Sequence, residues 1–502
     1  MQFCTGKEKR ARARLGPLWT AITLVASLTP MVVHAASPRP AMFPFVKLGP
    51  QATLSSASGP KYNLFTCQLV ALNTSVTCYD PYQIRHAYHT DLLIGSGFDG
   101  KGKTIVSIDA YQSPNIVPQL NFYNAFYGLP SLNGLGAPPN PALGTFTQVA
   151  PDGLTPFVTG DSNMTNWAQE ISLDVLWAHA IAPGANITLV LAKSDADADI
   201  VSATKYAVDH NLGDVISQSY GENESCMDPA LVAQQHQVFV EATQKNITLF
   251  ASAGDFGSGQ TTCDGSVLVQ AVSLPASDPL VTAVGGTELH AASYCPAILG
   301  CDPATSPVPG TYQGEIVWNE LATGFGATGG GYSVVYDEPS YQQGTIHGGK
   351  QLGVADVSYS AAVLHGLLTY LDIPGLAPGF YLFGGTSAGS PQWAAILAMI
   401  DQRAGKDLGF INTALYHIGQ AQSHFSASLF DVTSGDNSFA GVPGFSAGPG
   451  WDAATGLGSA AADQLSYYLI QFVSPGDGTA AIASSKPHSN GNPSAPGHLK
   501  PH

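Results

Sequence analysis

An alternation of short apolar runs with longer helix-like segments, beginning near Lys101, constrains the fold of this chain more than any other feature. Apolar runs without polar alternation are typical of strands covered on both faces, as in parallel sheets. Strands are predicted at 104–108, 186–192, 214–219 and 247–253, and helices at 164–182, 198–209 and 230–245. The pattern therefore predicts an α/β fold in which helices flank a parallel sheet.

The other segments carry weaker signals. The stretch 277–353 is rich in glycine and is expected to be looser than the sheet region. A helix is predicted after Ser387, running through Trp393 and Ile400. The final stretch, 474–502, is rich in Pro, Gly, Ser and Asn without apolar periodicity, which predicts a disordered tail.

The N-terminus has the order of a secretory signal peptide. Basic residues between Lys7 and Arg14 precede an apolar stretch that ends at Val33, and small residues surround Ala35. We therefore predict that 1–35 is cleaved and that the protein is secreted. A retained membrane anchor is the alternative, because the stretch approaches the length that spans a bilayer. Polar residues and a proline inside the stretch favour cleavage, after which no membrane association is expected.

The composition excludes several classes of protein. With 44% hydrophobic residues in 502, the chain is not wholly disordered. Lys and Arg number 19 against 36 Asp and Glu, a formal net charge of -17. Such an acidic balance argues against nucleic acid or an anionic membrane surface as a partner, because both need a basic surface.

Cysteine usage agrees with an exported chain. Cys4 lies within the predicted signal, which leaves an even number of cysteines. An even number in an exported chain favours disulfides. A zinc site is the alternative, but no Cys-x-x-Cys supports it. The predicted pairs, chosen for their short separations, are Cys67–Cys78, Cys226–Cys263 and Cys295–Cys301.

The segment 383–391, Phe-Gly-Gly-Thr-Ser-Ala-Gly-Ser-Pro, carries the strongest local signal for chemistry. Its small residues allow a tight turn, which would present the hydroxyl of Ser387 at the start of the following helix. Helix N-terminal amides there could stabilise an oxyanion beside a serine nucleophile. An ordinary N-cap serine is the alternative interpretation.

A serine nucleophile needs a base, and none of the 14 histidines lies in a recognisable triad motif. Glu170 and Asp174 offer a substitute, since residues four apart project from one face of a helix. Carboxyls this close can share a proton, so the pair could activate a serine in an acidic medium. Two solvated helix charges are the alternative, although apolar neighbours such as Trp167 and Trp177 indicate burial.

Asp255 follows a predicted strand, at the sheet edge where α/β enzymes place reactive groups. If protonated, its carboxyl could donate a hydrogen bond to a developing oxyanion. An Asx-type turn residue is an equal alternative.

Two further carboxylates, Asp431 and Asp452, lie near closely turned backbone in the C-terminal part. Carboxylates and backbone carbonyls suit a hard cation such as calcium, although the spacing is not that of an EF-hand. A plain Asp/Gly turn is the alternative.

Taken together, the motifs resemble the sedolisin family of serine-carboxyl peptidases, which have a subtilisin-like fold. The resemblance covers roughly 79–459, and the order of the motifs is more specific than any one of them. The matching motifs are Glu170-x-x-x-Asp174, Ser252-Ala-Gly-Asp255, Gly385-Thr-Ser387-x-x-x-Pro391, Gly329-Gly-Gly-Tyr-Ser333 and Asp356-Val-Ser358.

The resemblance implies a role for each matching position. Ser387 would be the nucleophile, Glu170 the general base and acid, Asp174 the residue that orients Glu170, and Asp255 the acid at the oxyanion. It also implies one structural calcium ion at the carboxylates of Asp431 and Asp452 and the backbone oxygens of Val432, Gly448 and Gly450.

The implied protein is a secreted, monomeric acid endopeptidase acting on proteins or peptides, with one large catalytic domain over 79–473. A tripeptidyl aminopeptidase of the same family and an inactive binding protein on the same fold are the alternatives. A glycosidase is disfavoured, because its two carboxyls would lie on opposite sides of a bond. Family members typically carry a long folded propeptide, whereas here only a short extension, 36–78, precedes the catalytic pattern. Its role, inhibitory or structural, stays open.

Overall fold

The computed structural model describes residues 46–47, 64–69, 76–296, 299–302, 304–346, 349–485 and 487. The predicted signal peptide, 1–35, lies outside these residues. All the described residues belong to one unit, Ala35–His502. No helix in this described part is long and apolar enough to cross a membrane.

The strands alternate with helices as the sequence predicts. The strands are β1 (Val46–Lys47), β2 (Thr77–Tyr79), β3 (Thr104–Ala110), β4 (Phe146–Val149), β5 (Asn186–Ala192), β6 (Val215–Gln218), β7 (Glu222–Asn223), β8 (Thr248–Ser252), β9 (Gly259–Thr261), β10 (Leu268–Gln270), β11 (Ser273–Leu274), β12 (Thr282–Ala291), β13 (Tyr312–Val317), β14 (Gly331–Asp337), β15 (Gln351–Val354), β16 (Val357–Ser360), β17 (His365–Leu371), β18 (Gly379–Phe383), β19 (Leu429–Phe430) and β20 (Ser459–Ala460). The helices are α1 (Pro81–Ala87), α2 (Thr90–Gly95), α3 (Ile116–Tyr127), α4 (Ser162–Ile181), α5 (Asp197–Asp209), α6 (Pro229–Gln244), α7 (Gly389–Ala404), α8 (Asn412–Gln420), α9 (Gln422–Ser428), α10 (Ala462–Phe472) and α11 (Asp477–Ser484).

An eight-stranded sheet forms the centre of the fold, in the order β13-β12-β8-β6-β3-β5-β4, with β16 also paired to β12. Every pairing in it is parallel except that of β12 with β13. The strands β3 and β5 run in register from Thr104 beside Asn186 to Ala110 beside Ala192. The predicted α/β class with a parallel sheet flanked by helices is therefore confirmed.

Helix α4 is unusual because it is buried on all sides over its C-terminal three-quarters. Its N-terminus is capped by Asp161, whose side chain accepts hydrogen bonds from two backbone amides. From Trp167 onward, every residue to Ile181 is buried, since the helix contacts α7, β3 and β17. Any carboxylate on this part of the helix is consequently removed from water.

A second sheet has the order β1-β18-β17-β2 and contains both described strands of the 36–78 extension. Strand β2 pairs in parallel with β17, and β1 pairs antiparallel with β18. The Cys67–Cys78 disulfide joins the turn before β2 to β2 itself. The other two predicted disulfides, Cys226–Cys263 and Cys295–Cys301, are also present.

Two segments differ from expectation. The described parts of the stretch 277–353 are more regular than expected, since they contain β12, β13 and β14. Its glycines allow close packing instead: a Cβ on Gly286 would lie 2.6 Å from the Cβ of Ala361. Part of the expected disordered tail forms α11, which packs on α6 and buries Ala481. Residues 488–502 lie outside the described part.

Candidate active site

Ser387 lies in a short turn, Thr386–Ala388, between β18 and α7, and only 2% of its surface is exposed. Its Oγ donates to the carbonyl oxygen of Ser219, just past the end of β6, over 3.4 Å. The preceding Gly385 has a φ of 98°, and a Cβ there would lie 2.5 Å from Oδ2 of Asp255. Glycine is therefore required for Asp255 to approach the turn.

Glu170 is fully buried on α4, and neither of its carboxylate oxygens has a hydrogen-bond partner. Burial raises its pKa well above the usual value, and the charges of Asp174 and Asp109 raise it further. The Ser387 hydroxyl is close enough to Glu170 to oppose this shift in pKa. The carboxyl is thus beside the serine with both oxygens available.

Asp174 lies one helical turn further along α4 and is anchored on both oxygens. Oδ1 accepts from the hydroxyl of Ser219, and Oδ2 accepts from the hydroxyl of Ser107, each over 2.9 Å. Burial, and then the charge of Asp109, raise its pKa well above the usual value. Glu170 and Asp174 therefore share one buried environment, as their spacing predicts, and are not solvated helix charges.

Asp109 on β3 extends this pair, although no motif in the sequence singles it out. The hydroxyl of Ser107 lies 2.6 Å from Oδ2 of Asp109 as well as 2.9 Å from Asp174. A hydroxyl has one proton, so it can donate to only one of the two carboxyls. Protonation of the other carboxyl would satisfy the second contact, and burial raises the pKa of Asp109 to about 7.

Asp255 follows β8 and faces the Ser387 turn from the other side. Its Oδ1 accepts from both the backbone amide and the hydroxyl of Thr386, each over 2.7 Å. Its Oδ2 is buried without a hydrogen-bond partner. Burial raises the pKa of Asp255 to about 7, despite the opposing hydrogen bonds from Thr386. A protonated Oδ2 could act as a hydrogen-bond donor.

The cluster contains no compensating positive charge among the described residues. No lysine, arginine or histidine in the described part shifts the pKa of its four carboxyls, which belong to Glu170, Asp174, Asp109 and Asp255. Buried carboxylates without cations are costly, so these groups keep protons to an unusually high pH. The arrangement can therefore supply a base and a proton donor around one hydroxyl.

Two of the predicted metal ligands, Asp431 and Asp452, lie in a separate loop region. The Gly450 amide donates to both carboxylate oxygens of Asp431, at 3.2 and 3.0 Å, and the Gly448 amide donates to Asp452 over 3.2 Å. Burial raises the pKa of Asp431 and Asp452, and no basic side chain opposes it. Carboxylates and backbone carbonyls are the types of ligand that calcium prefers.

The chain is similar in sequence to several known proteins, of which three are described here. Kumamolisin from Bacillus sp. (strain MN-32) is 32% identical over 393 residues, which cover 76% of this chain and 62% of kumamolisin. Sedolisin from Pseudomonas sp. (strain 101) is 34% identical over 281 residues, covering 54% and 43% of the two chains. Tripeptidyl-peptidase 1 from Homo sapiens is 29% identical over 268 residues, covering 49% and 42%. The chain thus spans less than two thirds of each of these relatives. No protein-family model matches it.

The structural comparison agrees with the sequence comparison. The chain superposes on Pseudomonas sedolisin, a serine-carboxyl proteinase solved with two molecules of pseudo-iodotyrostatin, with a TM-score of 0.62 and 26% identity. The match covers 80% of this chain and all of the sedolisin chain. With its subtilisin-like α/β fold, the chain belongs to the sedolisin family of serine-carboxyl peptidases.

Proposed function

We propose that the protein is an exported, acid-acting serine-carboxyl endopeptidase. One observation carries the proposal: three buried carboxyls, of Glu170, Asp174 and Asp255, lie about the turn that carries Ser387. Among the described residues, no basic side chain shifts their pKa values. A serine in such a site can be activated only by a carboxylate. The sedolisin-family relatives support the same assignment.

In the proposed acylation step, Oγ of Ser387 attacks the carbonyl carbon of the scissile peptide bond, and Glu170 takes the hydroxyl proton. Glu170 then gives this proton to the leaving amine as the C–N bond breaks, which leaves an acyl ester on Oγ. A water molecule attacks the ester in the second half, again giving its proton to Glu170. The proton returns to Oγ when the acid product leaves.

Asp174 positions Glu170 and controls its charge. Its two oxygens are held by Ser219 and Ser107, so the carboxyl cannot rotate freely. Glu170 must be ionised to act as a base, and the charge of an ionised Asp174 opposes this by raising the pKa of Glu170. A proton held on Asp174, whose own pKa is raised, removes that charge and leaves Glu170 able to accept the proton of Ser387. Asp109 influences both carboxyls in the same direction from β3.

Asp255 stabilises the oxyanion in the proposed mechanism. Thr386 fixes Oδ1, which leaves Oδ2 to carry the proton and to donate toward the negative charge of the tetrahedral intermediate. Ionised Asp255 would instead repel that charge. Since the pKa of Asp255 is about 7, activity is expected to fall as the pH rises through this value.

We also propose that Asp431, Asp452 and the carbonyl oxygens of Val432, Gly448 and Gly450 hold one calcium ion. Calcium would neutralise the half-buried carboxylate of Asp431 and the buried carboxylate of Asp452, and would tie together the two chain segments that carry them, which is a structural role. Chelation with EGTA should lower the thermal unfolding midpoint, and added calcium should restore it. An unchanged midpoint in both Asp431→Asn and wild-type protein under EGTA would contradict the site.

Export and monomeric state are part of the proposal. The signal-like N-terminus supports export, and three disulfides are typical of proteins that fold in an oxidising compartment. Tripeptidyl release is the second candidate function, because one relative is named tripeptidyl-peptidase 1. The two activities differ in their products, which are internal fragments or successive tripeptides.

The test is cleavage of an unfolded protein at about pH 4, near the reference pKa of carboxyls, and at about pH 7. Wild-type protein and Ser387→Ala are compared with calcium present, and the products are identified by mass spectrometry. We expect internal cleavage that is strong at the lower pH and clearly reduced at about pH 7, and none by the variant. Successive tripeptides would favour the second candidate. Equal cleavage by the variant, or none by folded wild-type protein, would contradict a peptidase that uses Ser387.

A further inference from the structure

Two histidines and a glutamate converge at the junction of the two sheets, away from the Ser387 cluster. Glu288 and His290 are two residues apart on β12, so their side chains point to the same face of the strand, and His365 is the first residue of β17. Oε1 of Glu288 lies 3.3 Å from Nε2 of His290 and 3.3 Å from Nε2 of His365. Within the part of the chain that the structure describes, this is the one group of three such side chains with mutually close ligand atoms.

These distances match the spacing of ligands around a shared metal ion. In a tetrahedral site with zinc bonds of about 2.0–2.1 Å to nitrogen and oxygen, neighbouring ligand atoms lie about 3.3 Å apart. The glutamate oxygen has this separation from both imidazole nitrogens. A metal ion could therefore be held with little rearrangement of the strands.

The environment also suits an exchangeable ion. The side-chain exposure is 18% for Glu288, 23% for His365 and 43% for His290, so an ion could enter from solvent. A water molecule could fill a fourth position, as in sites with three protein ligands. A carboxylate with two imidazoles also favours a transition metal over calcium, which prefers oxygen ligands only.

We propose that Glu288, His290 and His365 bind one divalent transition-metal ion of the zinc class. The ion would link β12 of the central sheet to β17 of the second sheet. Because β17 pairs with β2, with His365 beside Thr77, this link would also brace the strand that the N-terminal extension contributes. The expected role is structural, independent of the proposed calcium position and of peptide hydrolysis.

The test uses untagged, full-length secreted protein, freed of metal with a chelator and studied at about pH 7.5, where imidazole is mostly neutral. Zn²⁺ is titrated calorimetrically, and Co²⁺ is used as a spectroscopic probe. We expect tight binding of one Zn²⁺ per chain at this site and a rise in the unfolding midpoint. His290→Ala and His365→Ala should each weaken this binding by at least about tenfold, and Glu288→Gln by a similar factor.

Two controls separate this site from other histidines. His86→Ala removes a surface imidazole that also contacts a carboxylate, Asp91, and should leave Zn²⁺ affinity unchanged. The double variant His498→Ala/His502→Ala removes the His-x-x-x-His of the C-terminal sequence and should also bind normally.

His290 is the most exposed of the three ligands, so its replacement should not prevent folding, which circular dichroism verifies. Unchanged Zn²⁺ affinity in folded His290→Ala would overturn the proposal. The proposal would also be overturned if only the His498→Ala/His502→Ala variant lost Zn²⁺ binding. A Co²⁺ spectrum that is the same in wild-type protein and in His365→Ala would overturn it as well.

Discussion

Buried carboxyls occur in two kinds of surroundings in this protein. In the Ser387 cluster, both oxygens of Glu170 and one oxygen of Asp255 have no hydrogen-bond partner. Elsewhere, Asp356 and Glu320 are also buried, but each of their oxygens accepts a hydrogen bond. Asp356 accepts from the amide of Ala283 and from the hydroxyl of Tyr416, both over 2.8 Å.

Glu320 shows the same saturation. Its Oε1 accepts from the amide of Leu364 over 2.8 Å, and its Oε2 accepts from the amide of Val363 over 2.7 Å and the indole of Trp318 over 2.9 Å. The pKa does not distinguish the two kinds of surroundings, since burial raises that of Asp356 to about 7, as it does for Asp255. The difference lies in the hydrogen bonds, since the oxygens of Asp356 and Glu320 are satisfied and those of Glu170 are not. Unpartnered oxygens also occur outside the cluster, on Glu222, so it is their position beside Ser387 that suits Glu170 and Asp255 to chemistry.

The largest expected effect comes from exchanging one carboxyl of each kind for its amide. Glu170→Gln should lower kcat by about 10³-fold or more, because it removes the base proposed for Ser387, and should leave stability unchanged or higher. Asp356→Asn should leave kcat per folded molecule within about twofold but lower the free energy of unfolding by about 1–3 kcal/mol, because an amide N–H₂ would face donors. Initial rates of cleavage measure kcat, and urea unfolding measures the free energy of unfolding. A large loss of kcat in Asp356→Asn together with a large loss of stability in Glu170→Gln would contradict the distinction between the two kinds of carboxyl.

A smaller effect is expected at Gly385, which gives Asp255 its close approach. In Gly385→Ala the new Cβ would meet Oδ2 of Asp255, so kcat/KM should fall by about 10²-fold. Gly405→Ala is the matched control, since Gly405 also has a positive φ, of 66°, but nothing lies within 4 Å of its added Cβ. The control should lose only about 1–2 kcal/mol of stability and keep its activity. Equal activity losses in the two variants would show that backbone strain, not Asp255, is responsible.

A third effect is expected on the pH dependence of stability. Asp109 and Asp255 have pKa values of about 7 in the folded protein against 3.8 in the reference state, so the folded state holds protons that the unfolded state releases. Stability should therefore fall as the pH rises from about 4 to about 7, by up to about 1.4 kcal/mol per pH unit for each group. Asp109→Asn should flatten this slope, whereas Asp209→Asn, at an exposed ion pair, should not. Denaturant unfolding across this range measures it, and an unchanged slope would contradict the protonated state.

The parts of the fold that depend on local sequence were predictable. The bounds of β5 were predicted exactly as observed, and α4 to within two residues at its start, because apolar runs and caps are local signals. The three disulfides were also predicted, since their cysteines are neighbours along the chain. The glycine-rich stretch was misjudged, because glycine permits close packing as well as flexibility, and sequence alone does not show which.

Residues whose role depends on contacts between distant segments were harder to find. Asp109 has no distinguishing motif, and only its contact with Ser107 beside Asp174 shows that it belongs to the cluster. The sequence does contain one signal for Asp109, because a carboxylate in an otherwise apolar strand is costly to bury. The cluster of Glu288, His290 and His365 was also missed, because its third member lies on another strand.

The most direct test of the account is whether Asp255 keeps a proton where ordinary carboxyls have lost it. Difference infrared spectroscopy of wild-type protein against Asp255→Asn isolates the C=O band of this carboxyl, because the variant retains the acceptor for Thr386. We predict a protonated band that persists to about pH 7, with loss of peptidase activity following its disappearance. A band that disappears near pH 4, about the reference pKa, while activity continues to pH 7, would contradict the proposed mechanism.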